Sequence, residues 1–263
     1  MTAPYQTLQI ERSDAVATVW MNRPEVFNAF NETLIADLTA AFTALDRDAT
    51  VRVVVLAGRG RHFSAGADLN WMQRASCASH HENLDDARRF AAMLQRLATL
   101  SKPTIARVHG MALGGGTGLA AACDMAVAAQ DAVFATSEVR FGIIPSVISP
   151  YVLRAIGARQ SLRFFQSAEQ FSAQQALMMG LVNDVQPIDQ LDEGIAGLIR
   201  SLVAGAPQAQ TAAKELIAAV SGLPIDAALM EETAQRIARQ RTTAEARAGI
   251  GAFLEKRRPA WAT

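Results

Sequence analysis

The chain has 263 residues, half of them apolar and 6% aromatic, which is enough for one large domain with a sizeable core. Its 25 basic and 25 acidic residues balance, which argues against nucleic acid as the main partner. The two cysteines, Cys77 and Cys123, have no ligand-like spacing. No apolar run is long enough to span a membrane, and residues 1–14 lack a signal-peptide pattern. We therefore expect a cytoplasmic protein that binds no metal, membrane or nucleic acid.

Strand and helix patterns alternate along the first half of the chain. Residues 16–21 predict a strand, and Asn31 predicts the N-cap of a helix that extends to about Arg47. Residues 51–57 are apolar apart from Arg52 and predict a strand that is buried on both faces. The apolar residues that we expect to anchor the helix in the core are Leu34, Ile35, Leu38, Ala41, Phe42 and Leu45.

The pattern is weaker in the next segment and then becomes clear again. Residues 69–81 are ambiguous between a loop and a short helix, whereas 85–100 predict a helix that ends before Lys102-Pro103. Apolar runs at 104–108 and 125–129 predict two buried strands, with a helix of small residues at 117–123 between them.

The last third of the chain is predominantly helical. Ser172 is a good N-cap, Gly180 suits a helix C-terminus, and Pro207 suits the first turn of a helix. The segments with a helical pattern are 161–166, 172–179, 188–204, 207–220 and 225–256, the last with a break near Thr242.

Two glycine-bearing segments follow predicted strands and are the most informative feature of the chain. They are Phe63-Ser-Ala-Gly-Ala-Asp68 and Met111-Ala-Leu-Gly-Gly-Gly-Thr-Gly118. A strand that ends in glycines at the start of a helix leaves backbone N–H groups unpaired where a ligand can approach closely. Two such turns can direct two N–H groups at one oxygen, which is the construction of an oxyanion hole and indicates chemistry at a carbonyl.

The same glycines allow two other interpretations. Gly116, Gly118 and Ala121 fit a dinucleotide-binding fingerprint, with Asp131 as the acid that would hold a ribose. The helix between the two apolar runs is too short for a normal crossover, however, and the motif lies in mid-chain. The glycines could also serve only to allow close packing.

Taken together, the motifs resemble those of the crotonase family, the enoyl-CoA hydratases and isomerases. They occur in the family's order and span nearly the whole chain. The matching elements are Asn22-Arg-Pro, Asn28-Ala, Phe63-Ser-Ala-Gly-Ala-Asp-Leu69, Pro103-Thr, Gly110-Met-Ala-Leu-Gly-Gly-Gly116, Ala122-Cys-Asp124, Ser137-Glu138, Gly142-Ile-Ile-Pro145 and Ala252-Phe-Leu-Glu-Lys-Arg257.

The resemblance implies an α/β fold, a crotonase-like spiral of β-β-α repeats with a helical C-terminal region. We expect the spiral core over residues 1–200 and a helical oligomerisation region over 201–263. The resemblance also implies assembly into homotrimers or hexamers. The substrate would be an acyl-CoA thioester, with no separate cofactor because coenzyme A is part of the substrate.

The resemblance also implies roles for particular residues. The backbone N–H groups of Ala67 and Gly115 would form the oxyanion hole, and Glu138 would be a catalytic acid and base. Lys256 matches a position near the adenine end of coenzyme A, where a lysine suits phosphate. The other expected substrate-binding residues are Val26, Ala29, Ala65, Asp68, Leu69, Met111, Gly114, Gly118, Ser137 and Pro145.

One departure from the family bears on the mechanism. Hydratases of this family use two glutamates, and the first of them aligns with Gly118 here, which leaves space that we expect a bulkier acyl group to fill. Segment Ser146-Val-Ile-Ser-Pro150 also differs from the common glycine-rich loop. Both features resemble a bacterial branch that hydrates methylglutaconyl-CoA or carboxygeranoyl-CoA. A second carboxylate on the substrate would need a cation, and Arg74, Arg88 and Arg140 are candidates.

Hydration of an enoyl-CoA is therefore the expected activity. A double-bond isomerase is the alternative, because one carboxylate suffices to move a proton between two carbons. A decarboxylase and a binding protein with a decayed site remain open.

Several other residues have ordinary structural interpretations. Asp68 suits a helix N-cap, and Asp124 is more typical of a structural role. His109 suits a packed, hydrogen-bonded position. Adjacent His80 and His81 face apart on a helix and do not indicate a metal site. The remaining candidates are Trp71 and Met72 for the acyl pocket, and Arg23, Arg59 and Arg61 for coenzyme A phosphates.

Overall fold

The computed structural model describes residues 5–262. Its main sheet has six strands in the order β1-β2-β3-β4-β6-β9, and only β1 and β2 are antiparallel. A smaller sheet has the order β5-β7-β8. The strands are β1 Leu8–Ser13, β2 Val16–Met21, β3 Val53–Gly58, β4 Thr104–Val108, β5 Met111–Leu113, β6 Met125–Ala129, β7 Val133–Ala135, β8 Phe171–Ser172 and β9 Asp184–Gln186.

Ten α-helices in the described part of the chain surround these sheets. Two short 3₁₀ helices, Pro24–Val26 and Glu138–Phe141, lie at loops. The α-helices are α1 Glu32–Arg47, α2 Leu69–Cys77, α3 His80–Ala98, α4 Gly115–Ala122, α5 Ser149–Ser167, α6 Ala173–Met179, α7 Leu191–Ala204, α8 Pro207–Val220, α9 Ala227–Arg241 and α10 Ala244–Leu254.

The chain steps between the two sheets as it advances. β4 lies in the main sheet, β5 in the small sheet, and α4 returns the chain to β6 in the main sheet. The next turn of chain repeats this step with β6 and β7. This is a spiral of β-β-α units, and the α/β fold expected from the sequence is confirmed.

The main sheet is buried on both faces. On one face Val54, Leu56 and Ala106 belong to the large core, which also contains residues of α1, α3 and α4. On the other face Val53, Val55 and Ile105 pack against α7. The apolar run of β3 predicted burial on both faces, and this prediction is confirmed, since each face meets a helical layer.

Some predicted boundaries were wrong. α3 begins at His80 and not at 85, because Ser79 and Glu82 form a capping box that fixes the helix start. The ambiguous segment 69–81 contains α2. The helix predicted over 161–166 is the end of α5, which begins at Ser149 and is interrupted at Gly157. α4 begins at Gly115, two residues before the predicted start.

The C-terminal helices cover one side of the core. Lys214 of α8 forms an ion pair with Asp124, whose carboxylate also accepts a hydrogen bond from the backbone N–H of Thr104. Asp124 is thus structural, as inferred. The predicted division between residues 200 and 201 falls inside α7, which packs on the main sheet, and the division into two regions stays a prediction. Among residues 5–262, no helix is both long and apolar enough for a membrane span.

Candidate active site

The first glycine turn is held in place by a network of backbone and side-chain hydrogen bonds. The Ser64 N–H donates to Met111 O (3.0 Å), and the Ser64 hydroxyl donates to Asn28 O (2.8 Å). The buried Asn28 amide in turn donates to the carbonyls of Arg59 and His62. The turn therefore docks against β5 in a defined position.

The second glycine turn lies directly against the first. Gly66 and Gly114 both have positive φ angles, of 92° and 49°, which glycine adopts without strain. A Cβ placed on Gly66 would lie 3.1 Å from Leu113 O, and one on Gly114 would lie 3.9 Å from the Gly66 Cα. The two turns are in contact, and only glycine permits this approach.

Two backbone N–H groups at these turns are left unpaired. Phe30 and Ala67 form an isolated β-bridge, in which the Phe30 N–H donates to Gly66 O and the Asp68 N–H donates to Phe30 O. The intervening Ala67 N–H therefore points away from Phe30. Gly115 is the first residue of α4, where an N–H has no intrahelical acceptor. Within residues 5–262, neither N–H donates a hydrogen bond, and both residues line the same cavity.

The half-buried side chain of Glu138 faces the second turn. Glu138 begins the 3₁₀ helix Glu138–Phe141, and its Oε1 lies 3.1 Å from where a Cβ on Gly114 would be. Its Oε2 is buried and has no hydrogen-bond partner in the described part of the chain. Burial raises the pKa of Glu138, because the charged form loses its hydration. Such a group is suited to accept and return a proton at a reacting centre.

The turns and the carboxylate line a cavity of about 510 Å³, a volume within the usual range of ligand sites. Most of its wall is apolar. The lining residues are Phe30, Ala65, Gly66, Ala67, Leu69, Trp71, Met72, Asn83, Asp86, Ala87, Phe90, Leu113, Gly114, Gly115, Ser137, Glu138, Phe141, Ile143, Ile144, Pro145, Ser146, Val147 and Ile148.

Comparison with known proteins identifies the family to which this arrangement belongs. Residues 11–263 match the family model described as enoyl-CoA hydratase/isomerase. The chain belongs to this family. It is 35% identical to the 2,3-dehydroadipyl-CoA hydratase of Escherichia coli over 96% of this chain and 97% of that protein. It is 37% identical to the hydroxycinnamoyl-CoA hydratase-lyase of Pseudomonas fluorescens over 80% of this chain and 77% of that protein.

A crystal structure of an enoyl-CoA hydratase from Shewanella pealeana superposes on this chain with a TM-score of 0.96. The two chains are 37% identical, and the superposition covers 98% of this chain and 97% of that one. The crotonase-like fold of the enoyl-CoA hydratase/isomerase family is thus established over nearly the whole length.

Eight of the residues expected at a family site line the cavity. They are Ala65, Ala67, Leu69, Gly114, Gly115, Ser137, Glu138 and Pro145. Trp71 and Met72, which were equally compatible with a loop anchor, also line it. The cavity therefore brings together both glycine turns, the carboxylate and part of the expected passage.

Besides Gly118, five expected residues lie outside the cavity wall. Asp68 caps α2 by accepting a hydrogen bond from the Asn70 N–H, and it forms an ion pair with Arg23 at 2.9 Å. Burial alone would raise the pKa of Asp68, but these two partners outweigh burial and lower it. The Met111 N–H donates to His62 Nδ1 (3.1 Å). The other three residues are Val26 in the first 3₁₀ helix, the buried Ala29, and the exposed Lys256 just after α10.

Gly118 requires a correction. It was expected to leave empty space for the acyl group, but it is buried in α4 and does not line the cavity. A Cβ at this position would lie 2.2 Å from Ile148 Cγ2 and 2.8 Å from Ile148 Cβ. Ile148 therefore occupies the space beside Gly118, and a glutamate at 118 could not enter unless Ile148 moved.

The histidines near the turns are structural. His109 Nε2 lies 2.9 Å from Gly60 O, and burial lowers the pKa of both His62 and His109. No group of three or more histidine, cysteine, aspartate or glutamate side chains with metal-ligand geometry occurs among residues 5–262.

Sequence reasoning missed several lining residues. Phe30 and Phe90 pack together, with ring centroids 5.1 Å apart, and both lie against Gly115. Asn83 was missed because α3 begins before the predicted start at 85, and Asp86 fell in the first turn of the predicted helix, where its facing residue 83 was not yet counted as helical. With the capping box at Ser79 recognised, residues 83, 86, 87 and 90 fall on one helix face, and this spacing is the signal that could have found them.

Proposed function

We propose that this protein is an enoyl-CoA hydratase, which adds water across the double bond conjugated to a coenzyme A thioester. The observation that carries the proposal is the position of Glu138, whose buried Oε2 has no hydrogen-bond partner within residues 5–262, in the wall of the cavity that Ala67 and Gly115 also line; the N–H groups of these two residues are unpaired in the same part of the chain. Membership of the enoyl-CoA hydratase/isomerase family and the hydratase names of its relatives support the same reaction.

The two N–H groups supply the electrostatic part of the mechanism. Attack of water at the β-carbon moves negative charge onto the thioester oxygen. Donors fixed by the glycine turns stabilise that enolate without having to reorganise, and loss of one such donor typically costs about a hundredfold to a thousandfold in rate.

Glu138 supplies the proton transfer. It accepts a proton from the attacking water and then delivers a proton to the α-carbon, so one carboxylate serves as base and acid in turn. Its raised pKa suits both steps, because the carboxyl can be protonated and deprotonated closer to neutral pH. Gly118 brings no side chain, and the apolar Ile148 stands beside it.

The acyl group is proposed to be uncharged. The likeness to methylglutaconyl- and carboxygeranoyl-CoA hydratases favours a second carboxylate, and a relative is named for 2,3-dehydroadipyl-CoA. However, the charged residues of the cavity wall are Glu138 and Asp86, both acids. Arg74 pairs with Glu32, and Arg88 pairs with Asp85. Arg140 is exposed and is absent from the cavity wall.

The test is to incubate the protein with crotonyl-CoA and 3-methylglutaconyl-CoA in H₂¹⁸O and follow the products by mass spectrometry. We expect a product heavier by one labelled water, with higher kcat/KM for crotonyl-CoA. Conversion of a β,γ-enoyl-CoA to its α,β isomer without label uptake would instead show an isomerase. Loss of CO₂ would show a decarboxylase, and no turnover of any thioester would exclude the proposal.

A further inference from the structure

One polar region of the cavity has no part in the proposed reaction. Asn83 and Asp86 line the cavity from α3, on the same helix face as Ala87 and Phe90. The rest of the wall around them is mainly apolar. A carboxylate placed in such a wall is costly unless a hydrogen-bonding group meets it.

This region lies further along α3 than the oxyanion turn and is more enclosed than the rim of the cavity, where exposed residues such as Leu69 form its mouth. A Cβ on Gly115 would lie 3.1 Å from Phe90 Cζ, so Phe90 marks the position of the turn along α3. At about 1.5 Å per residue, Asp86 lies about 6 Å and Asn83 about 10 Å further along the helix axis. The Asp86 side chain is only 17% exposed, whereas Leu69 on the mouth is 81% exposed. An enclosed region of this kind suits an acyl tail better than a nucleotide, whose charged phosphates favour contact with solvent.

Both side chains present hydrogen-bond acceptors. The Asn83 amide nitrogen donates to Ala75 O (3.0 Å) and Ala78 O (3.3 Å), which orients the amide and leaves Oδ1 without a donor within residues 5–262. Asp86 Oδ1 accepts from Arg89 (3.1 Å), while its Oδ2 accepts no hydrogen bond in the same part of the chain. Because the Arg89 side chain is 59% exposed, this ion pair is weak and leaves the region electronegative.

We propose that Asp86, together with Asn83, selects enoyl-CoA substrates whose acyl tail carries a hydrogen-bond donor, such as an alcohol or phenol hydroxyl, and rejects tails that end in a carboxylate. The inference rests on the hydratase activity proposed for this cavity. A hydroxyl donates to the free Asp86 oxygen and satisfies a group that an alkyl tail leaves unpaired. A carboxylate tail would lie beside Asp86, in a cavity whose charged lining residues within 5–262, Asp86 and Glu138, are both acids.

The experiment uses three enoyl-CoA thioesters with the same carbon skeleton and a distal methyl, hydroxyl or carboxylate group. For the wild type we expect kcat/KM for the hydroxyl compound to exceed that for the methyl compound by about tenfold or more, and the carboxylate compound to lie below both. Asp86→Leu should bring the hydroxyl-to-methyl ratio close to one. Asp86→Asn keeps an acceptor but no charge, and should raise the relative rate of the carboxylate compound.

Asp85→Asn is the matched control, since Asp85 lies on the same helix, pairs with Arg88 and is outside the cavity wall. It should leave both ratios at their wild-type values. If the protein hydrates crotonyl-CoA, two results would overturn this inference and leave the proposed function standing. They are equal kcat/KM of the wild type for the three compounds, and an unchanged hydroxyl-to-methyl ratio in Asp86→Leu. Failure to hydrate crotonyl-CoA and all three compounds would overturn the proposed function, and this inference with it.

Discussion

The environment of Glu138 gives the carboxyl group a pH dependence that can be measured in two ways. Its Oε2 is buried and has no hydrogen-bond partner among the residues that the structure describes, and burial raises the pKa of the carboxyl group. The folded protein therefore binds this proton more tightly than the unfolded chain does. Between the ordinary and the raised pKa the free energy of unfolding falls as pH rises, and above the raised pKa the full cost of burying the charge remains.

Replacing Glu138 with glutamine should separate activity from stability. We expect Glu138→Gln to lose about a hundredfold or more in kcat, because an amide cannot accept the proton from water. The same variant should be at least as stable as wild type at neutral pH, since it buries no charge. Urea unfolding of both proteins, at neutral pH and at a pH below the ordinary glutamate pKa, measures their free energies of unfolding. The difference between the variant and the wild type should be smaller at the acidic pH.

The wild-type pH profile provides the companion measurement. The acidic limb of kcat/KM should lie above the ordinary pKa range of a glutamate, and Glu138→Gln should lack it. A variant that keeps more than about a tenth of wild-type turnover would mean that the general base lies elsewhere, since such a base usually contributes a hundredfold or more.

Gly118 and Ile148 form a size-matched pair that is testable by mutation. Gly118→Ala would place a methyl group 2.2 Å from Ile148 Cγ2, so we expect a loss of about 1–3 kcal/mol in the free energy of unfolding. Ile148→Ala removes that methyl group, so the double variant should be less destabilised than the sum of the single variants. Denaturant unfolding of the four proteins in the cycle measures the coupling.

Gly251→Ala is the control for this cycle. Gly251 lies in α10, and no atom in the described part of the chain lies within 4 Å of where its Cβ would be, so alanine should be neutral or stabilising by up to about 1 kcal/mol. Strictly additive effects of Gly118→Ala and Ile148→Ala would show that the two residues are not in the contact described.

At the scale of elements, the break in α5 is a feature of backbone conformation and not of packing. Gly157 has φ 73° and ψ 166°, a region that only glycine occupies readily, and no atom of residues 5–262 lies within 4 Å of where its Cβ would be. The break separates a first part, which carries Val152 and Ile156 into the core, from a second part anchored by Phe164.

We predict that Gly157→Ala lowers the free energy of unfolding by about 1–3 kcal/mol through backbone strain alone. Chemical denaturation measures this, with Arg159→Ala as the control, because Arg159 is exposed and should change stability by less than about 0.5 kcal/mol. If Gly157→Ala were as stable as the control, α5 would be able to run unbroken through this position.

The elements that the sequence predicted are those with local causes. α1 follows from the Asn31 cap and a run of apolar residues at helical spacing, and α8 begins at Pro207 as expected. The short strands β5, β7 and β8 were not predicted, because two or three residues carry no periodicity. They form because Met111–Leu113 and Val133–Ala135 pair across the small sheet, which is a tertiary contact.

The same distinction between local and tertiary causes applies to the residues of the candidate site. Ala67, Gly115 and Glu138 lie in motifs that could be recognised, and all three line one cavity. The contact of Ile148 with Gly118 joins two segments that are distant in sequence, so no local pattern indicated it. The expectation of empty space at 118 was therefore wrong, since a missing side chain in the sequence does not reveal what packs in its place.

At the scale of the whole molecule, the C-terminal helices leave a large apolar surface uncovered. None of the residues of α8 and α9, all of which the structure describes, is buried, and in α10 only Ala252 is. Large apolar side chains are nevertheless exposed there, more than isolated surface residues explain. They are Ile217, Met230, Ile237, Ile250, Phe253 and Leu254.

We predict that this surface holds copies of the chain together as a trimer or hexamer, and that Phe253→Glu shifts the protein toward monomers. Phe253 is 81% exposed in the single chain, and a charge buried at an interface without a partner is strongly unfavourable. Light scattering at micromolar concentration measures the mass. Ala248→Glu is the control, because it adds the same charge to α10 at an exposed position about 200° around the helix from Ile250. Ala248→Glu should leave the assembly intact. A wild-type protein that is monomeric at micromolar concentration would contradict the prediction.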